Sequence, residues 1–463
     1  MSAGKQSGRA KTQRELEQEN ARLQRELERL RVENERLRRE LDLALRATKR
    51  QAAPYSKGKR VSKPKPPGRK PGQGKWSRRR APAADEVKGP AVEVPVTETV
   101  CGECGEELEW ERTDEVSVTD VPPQHQPQAT VYQIEVRRCR GCGRRVRGRH
   151  PDVAPDQQGA TAHRVGPRTK AVAHALHYGI GVPVRQVPKV LRELVGIKIT
   201  QGALTHDALK RGRGEVGRAY KGLRATVQEA SVVYTDDTGW RVGGKSAQLM
   251  VFDTDRATVY QIRPQHRNEE VRELVPSNYG GTLVADRGKS YDAEELREVA
   301  QQKCLAHILR NVVEVVETKS GRARSFGLHL KDLLRDAIDL GKRRGDYTPG
   351  VLAFQIQEID DLITWHLRDR HLTDIDNQRL LDGIGYHHDH GRLLRFLEDP
   401  AVEPTNNRSE RALRGAVIAR KVSHCSKNED GAMTFAAFTS VIRSAMKNGC
   451  VSLTDMLGLL TGV

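Results

Sequence analysis

A β-branched and apolar run that begins at Ser231, SVVYTDDTGW, halts on two adjacent carboxylates, Asp236 and Asp237, followed by a glycine turn. Two further apolar segments, 247–254 and 257–263, follow at hairpin spacing and predict three successive antiparallel strands. Residues 268–275 read as a helix, and GTLVAD as a fourth, buried strand ending on Asp286. A further helix is expected from Asp292, running to KCLAHILRNVVEVVE at 303–317.

Three antiparallel strands, a helix, a strand and more helices is the order of a ribonuclease-H-like fold. There the ends of the first and fourth strands lie side by side, here at Asp236 and Asp286. Carboxylates that close repel each other and raise each other's pKa unless cations sit between them. Mg²⁺ or Mn²⁺ resolves the conflict, since hard ions take carboxylate and water oxygens. Two such ions about 3.5–4 Å apart can activate the attacking oxygen and stabilise the leaving oxygen of a phosphodiester displacement. The third carboxylate comes from EPTNNRSERALRGAVIARK, 403–421, where Thr405 or Asn406 can cap a helix. That helix would place Asn407, Glu410 and Arg414 on one face, with Arg408, Arg411, Arg420 and Lys421 near enough to meet DNA phosphates. The same residues also fit a plainer reading, in which the aspartates are turn formers and Glu410 an exposed helical charge.

Charge points to the same partner. The 463-residue chain carries +18, yet residues 1–90 hold 26 Lys/Arg against 11 Asp/Glu, leaving the remainder close to neutral. Residues 49–80 contain 13 basic residues, no acid, and interspersed Pro and Gly. Such a segment buries too little apolar surface to fold alone and reads as a basic tether. It is a solvated linker at the least, and at this density a partner for a polyanion such as DNA or RNA. Upstream, Leu16, Leu23, Leu30 and Leu37 recur every seven residues, with Asn20, Leu27, Asn34 and Leu41 offset by four. Glutamates at 19, 26, 33 and 40 and arginines at 31 and 38 flank this seam. The pattern predicts a short parallel coiled coil, and so a homodimer or larger assembly, rather than a lone amphipathic helix. The dense basic block follows the zipper and is broken by prolines, unlike a basic-zipper regulator. With no apolar run of about 18 residues and no secretory signal, neither a membrane nor a secreted protein is expected. Seven cysteines in this length suit a reducing cytoplasm, with nucleoid association if the source is bacterial.

Four of those cysteines form two CxxC knuckles, Cys101/Cys104 and Cys139/Cys142, each trailed by glycine. Four thiolates suit a closed, structural Zn²⁺ site, and the trailing glycine lets backbone N–H groups curl toward the sulfurs. Strand-like segments at 115–118 and 129–136 suggest a zinc ribbon with a long hairpin; a redox dithiol is the alternative for either knuckle alone. Residues 163–212 read as helical. A helix ending near Val195-Gly196 and a second capped by Thr200 make a helix-turn-helix, or plain core, with Gln201, Thr205, His206 and Lys210 presented outward.

The zipper, the Pro-rich basic tether, the double knuckle, VVYTDDTGW, CLAHILR and PTNNRSERALR with its RK pair together resemble the transposases of the insertion-sequence 66 family, which are Asp-Asp-Glu enzymes. The resemblance implies catalytic Asp236, Asp286 and Glu410 holding two Mg²⁺ (or Mn²⁺) ions. Asp236 ends its strand directly and is preferred over Asp237. It implies cleavage at the element's terminal inverted repeats and strand transfer into target DNA, with accessory proteins of the same element as possible partners. His307 and Arg310 match a family motif near the site, as possible contacts to DNA; Trp240 also matches and suits packing. The second site departs from the family's Asp-Gly-aromatic pattern, reading Asp286-Arg287-Gly288 with Tyr291 later. The expected organisation is multidomain, α+β and α/β. It comprises a coiled coil (1–48), linker (49–90), zinc module (91–155), helix-turn-helix-like segment (160–225) and ribonuclease-H-like domain (230–450) with a helical insertion at about 311–402. The rival readings are a dimeric DNA-binding regulator with an inactive domain of this fold, or a nuclease without transfer activity.

If the basic tether supplies sequence-blind affinity, deleting residues 49–80 will flatten the salt dependence of DNA binding and spare any preference for element ends. Binding titrations across a salt series check this, and loss of end preference would refute that division of labour.

Overall fold

The computed structural model describes residues 165–368, 371–423 and 425–450, the stretch 129–148, and scattered positions between 22 and 127. The chain forms two units, Met1–Pro122 and Pro123–Val463. In the first, the described positions from Arg22 to Leu37 are helical, and Leu23, Leu27, Leu30 and Leu37 are about half exposed. The rest of the heptad seam, the basic segment 49–80, the segment 115–118 and Cys101 lie outside the described residues.

The second unit opens with a hairpin of β1 (Val136–Arg138) and β2 (Arg145–Arg147), paired antiparallel. Of the strand expected over 129–136, only Val136 is in a strand. Helix α1 (Pro167–His174) continues into a π-helical turn, Ala175–Ile180. Helix α2 (Val187–Val195) stops at Gly196, whose φ of 68° is the left-handed conformation that closes helices. The Thr200 hydroxyl accepts from Ala203 N at 3.2 Å and caps α3 (Gln201–Arg213), which is followed by α4 (Glu215–Gln228). Gln201, Thr205, His206 and Lys210 are all exposed on α3.

A five-stranded sheet follows, in the order β5-β4-β3-β6-β7. Strands β3 (Val232–Val242), β4 (Lys245–Asp253) and β5 (Thr258–Arg263) pair antiparallel, as expected. After α5 (Asn268–Arg272), β6 (Thr282–Ala285) pairs parallel with β3, and β7 (Ala300–Lys303) parallel with β6. This mixed α/β unit is compatible with a ribonuclease-H-like core.

Two expectations need correction. The first strand does not end at Asp236, nor does Gly239 make its turn. It pairs with β4 as far as Val242, and the chain reverses at Gly243-Gly244, both left-handed with φ of 59° and 82°. The helix expected from Asp292 begins only at Leu305; before it come a 3₁₀ turn, Glu294–Leu296, and the strand β7. That strand is polar in sequence but buried, because each side chain finds a partner. Gln301 donates to Tyr291 O, Gln302 to Leu393 O, and Lys303 meets Asp292 at 2.8 Å.

Helices α6 (Leu305–Glu317), α7 (Gly321–Lys342), α8 (Pro349–Leu367), α9 (Ile375–Asp389), α10 (Arg395–Glu398), α11 (Asn407–Ser423) and α12 (Glu429–Lys447) complete the unit. Helix α6 thus runs past 311, where the helical insertion was expected to start. Val233, Phe252 and Leu283 pack on one sheet face with Val227, Val271 and Leu274. On the other face, Tyr234 and Val284 pack with α6, α7 and α9. Trp240, Leu249 and Val251 pack with α11 and α12. Helix α12 also closes the sheet edge: the hydroxyls of Ser444 and Ser440 accept from Thr258 N and Tyr260 N at 2.9 and 2.8 Å. Among the described residues, no helix is long and apolar enough to cross a membrane.

Gly281 seats β6 against β3, since a Cβ there would lie 2.5 Å from Ser231 O and 2.6 Å from Ala230 O. Gly281→Ala is expected to destabilise the unit by about 1–3 kcal/mol, the usual cost of overpacking. The check is a lower denaturant midpoint at unchanged slope; an unaltered midpoint would show that the contact can relax.

Candidate active site

Strand alternation sorts the two adjacent aspartates. Tyr234 belongs to the face covered by α6, and Val233 to the opposite face. Successive side chains alternate, so Asp236 shares Tyr234's face and Asp237 the other. On β6, Val284 lies on the α6 face and Leu283 and Ala285 on the opposite one. Asp286, the next residue, continues toward α6. The parallel ladder ends with Tyr234 beside Val284, and both chains run on in the same direction, one to Asp236 and the other, past the end of β6, to Asp286. Adjacent strands lie about 4.8 Å apart.

Glu410 is brought to this place by Asn406. The Asn406 side chain is fully buried and donates to Thr235 O at 2.6 Å, next to Asp236. Its backbone N–H donates to Cys304 Sγ at 3.1 Å, at the junction of β7 and α6. The start of α11 is therefore pinned to β3 and β7 together, and Glu410 follows one turn later, its N–H donating to Asn406 O at 3.2 Å. The amide expected to cap the helix serves instead as a tie to the sheet.

The three carboxylates sense one another. The Asp236 carboxyl is pushed up to about 7 by burial and by the charges of Asp237, Asp286 and Glu410, against one stabilising hydrogen bond from Asp237 N. Among the described residues no Lys or Arg lies within 4.0 Å of the Asp236 or Asp286 carboxylate, although Asp286 accepts from Gly288 N at 2.9 Å. Asp237 is occupied differently: His266 Nδ1 stands 3.0 Å from its Oδ1. Burial works against the His266 imidazolium, but the hydrogen bond and charge of Asp237 outweigh it and raise the His266 pKa. His266, which carries no motif in the sequence, thus separates the roles of the two aspartates. Gly288 in turn lets the chain turn beside Asp286, since a Cβ there would meet Asp286 Oδ1 at 3.0 Å and the Tyr291 ring at 3.3 Å.

The remaining expected residues divide. His307 comes to the cluster, Nε2 at 3.7 Å from Glu410 Oε1, a contact rather than a hydrogen bond. Arg310, Asn407, Arg411, Arg414 and Lys421 are exposed. Arg408 and Arg420, expected to meet DNA phosphates, are engaged within the protein. Arg408 pairs with Asp253 at 3.0 Å and Asp255 at 2.7 Å, and Arg420 donates to Thr238 Oγ1 at 3.0 Å. Trp240 packs, as its sequence suits, beside Phe435, with Nε1 donating to Ser426 Oγ at 3.1 Å.

An uncompensated set of carboxylates is the donor chemistry that hard divalent cations take. Among the described residues no three His, Cys, Asp or Glu side chains are gathered into a ready-made metal cage. The fit therefore rests on charge alone, the influence of Asp286 and Glu410 on Asp236, and not on a formed cage. At the second knuckle, Cys142 and Gly141 N–H groups lower the Cys139 thiol pKa, and Gly143 is left-handed with φ 74°. That is the curl expected of a thiolate-binding knuckle. Cys104, Cys139 and Cys142 are exposed free thiols.

The family model described as Transposase IS66 family matches residues 163–434, from just before α1 to the first turns of α12, with all five strands of the sheet. The chain belongs to the IS66 transposase family. No curated protein matches it. The match covers Asp236, Asp286 and Glu410, so the carboxylate cluster lies within the transposase domain itself.

Without metal, the folded protein holds the Asp236 proton up to about pH 7, whereas the unfolded chain releases it near the ordinary 3.8. Between those values the folded state binds more protons, so this group's contribution to stability falls as pH rises through the window. Chemical unfolding in chelator from pH 4 to 7.5 should show that decline, shallower in Asp236→Asn. Equal slopes for the two proteins would exclude a raised Asp236.

Proposed function

We propose that this IS66-family transposase binds the terminal inverted repeats of its element and cuts and joins DNA through Asp236, Asp286 and Glu410. The observation that carries the reading is the raised Asp236. The charges of Asp237, Asp286 and Glu410 add to burial in raising it, and among the described residues no Lys or Arg lies within 4.0 Å of the Asp236 or Asp286 carboxylate. Two Mg²⁺ or Mn²⁺ ions, held by the three carboxylates, would supply activation of the attacking oxygen and stabilisation of the leaving one.

The residues' own work follows from their placement. Asp236 on β3 and Asp286 just after β6 would offer carboxylate oxygens from neighbouring strands of one sheet. Glu410 approaches from α11, fixed by the Asn406 tie, so its position depends on the join between helix and sheet. His307 stands beside Glu410 as a donor toward a bound strand. Hydrolysis at an element end and attack by the released 3′-hydroxyl on target DNA are one displacement with two nucleophiles, so one acidic set suffices. Cys101, Cys104, Cys139 and Cys142 are proposed as a structural Zn²⁺ site, and the leucines at 23, 27, 30 and 37 as part of a dimer seam. The exposed side chains of α3 would read or track the DNA.

A labelled element-end oligonucleotide with Mg²⁺ tests this. The wild-type chain is expected to cut and join it. Asp286→Asn should lose both steps, on the order of 10²–10³-fold or more, while end binding survives. Full activity in that variant would sink the triad; cutting without joining would make the protein a nuclease, and binding alone a regulator.

A further inference from the structure

Beside the carboxylate cluster, on the same sheet face, lies a cavity of about 330 Å³ between α11, α12 and the β4–β5 end of the sheet. Four cationic side chains line it, Arg408, Arg411, Arg443 and Lys447, against one carboxylate, Asp253. Two of the four are spent on that acid. Arg408 Nε donates to Asp253 at 3.0 Å and Lys447 pairs with its other oxygen, while Thr258 donates its hydroxyl there too. Arg411 and Arg443 are left over. Arg411 is exposed on α11, and no hydrogen bond or ion pair engages it among the described residues. Arg443 Nε is sealed from solvent with no acceptor. A guanidinium donor left in that state costs free energy unless an anion completes it.

Space has been made for this arginine. Gly415 sits inside α11, where glycine costs about 1 kcal/mol relative to alanine. A Cβ there would lie 2.5 Å from Arg443 Nη2. The missing side chain lets the guanidinium lie against the helix and face the cavity. The location is also specific. In the β3–β4 ladder Asp236 faces Val251 and Tyr234 faces Asp253, which makes Asp253 the diagonal neighbour of Asp236 on one face. Such neighbours are about 7–8 Å apart. Arg411 follows Glu410 directly in α11. An anion in the cavity would thus lie next to the strand whose phosphodiester reaches the carboxylates.

We propose that this cavity seats a backbone phosphate of bound DNA, held by Arg411 and Arg443, one step from the bond that is cut. The guanidinium fork matches phosphate oxygens in a way an ammonium does not. Arg408 and Lys447 border the seat, held in place by Asp253. The proposal rests on the reading that this chain acts on DNA. It adds a site that positions the strand without touching the metal-binding acids.

The test uses the full chain and a labelled duplex of arbitrary sequence, with affinity measured across a salt series. Arg411→Gln/Arg443→Gln should bind more weakly, with a log–log salt slope shallower by about 1, the value for one lost phosphate contact. Gly415→Ala removes no charge but pushes the Arg443 guanidinium aside, and should shift the slope in the same direction. Slopes equal to wild type in both variants would overturn the phosphate seat. Calorimetry with inorganic phosphate and no DNA distinguishes the source. Phosphate binding that the double variant loses while duplex slopes stay equal would make the cavity a free-phosphate site and overturn the DNA assignment. A wild-type chain that binds no duplex would overturn the functional reading and this one with it. A chain whose slope changes as expected but which cuts nothing would refute the triad alone.

Discussion

The parallel pairing of β3 with β6 is the constraint on which the rest of the site depends. Its register sets where β6 leaves β3, at Val284, two residues short of Asp286, and any slip by one residue would turn the side chains of β6 to the opposite face. The sheet resists such a slip because both faces of these strands are buried, with Val233 and Leu283 in one core and Tyr234 and Val284 in the other. The acids stand immediately beyond that buried run. Apolar packing therefore sets the positions, and burial adds to the repulsion in raising Asp236.

Glu410 needs a second device, since nothing in β3 or β6 reaches it. Asn406 provides it by joining three elements at one buried point: β3 through Thr235 O, the β7–α6 junction through Cys304, and α11 through its own carbonyl. Its Oδ1 is left without a partner. An unsatisfied buried acceptor is a cost the fold bears at the place where helix and sheet must be held in register. Tyr234 adds a second tie on the same seam, its hydroxyl accepting from Glu403 N at 2.9 Å. Two uncharged side chains, Asn406 and Tyr234, thus tie the approach to Glu410.

Much of this was legible in the sequence, and what was not has a physical reason. The β3–β5 strands, α3 with its Thr200 cap, and the closing glycine of α2 follow from local pattern and turn chemistry. Strand β7 did not show itself, because AQQK has neither alternation nor β-branched residues. It is buried only because Gln301 and Gln302 find carbonyl partners on distant turns. The end of β3 was misplaced because a pair of acids followed by Thr-Gly reads as a turn. In the fold those residues sit opposite Val251, Met250 and Leu249, which sustain the strand. The three acids of the candidate site were legible as strand-end and helix residues. Their company was not: His266, Asn406 and the ties that engage Arg408 and Arg420 arise from contacts across more than a hundred residues or carry no motif.

The distribution of basic residues on α11 shows how one helix can serve both the fold and a polyanion. Arg408 is drawn inward by Asp253 and lies over the Tyr234 ring, its guanidinium carbon 5.1 Å from the centroid. Arg420, three turns later, ties the helix to β3 at Thr238. These anchors fix both ends of the segment that carries Glu410 and leave the arginines between them to face outward. A helix held only by apolar packing could slide or rotate under the pull of a bound phosphate backbone. One fastened by charge-assisted hydrogen bonds at each end resists that pull in direction as well as in depth. The basic residues that appear redundant in the sequence therefore divide into those that hold the helix and those that it presents, and the acceptors at Asp253, Asp255 and Thr238 make the division.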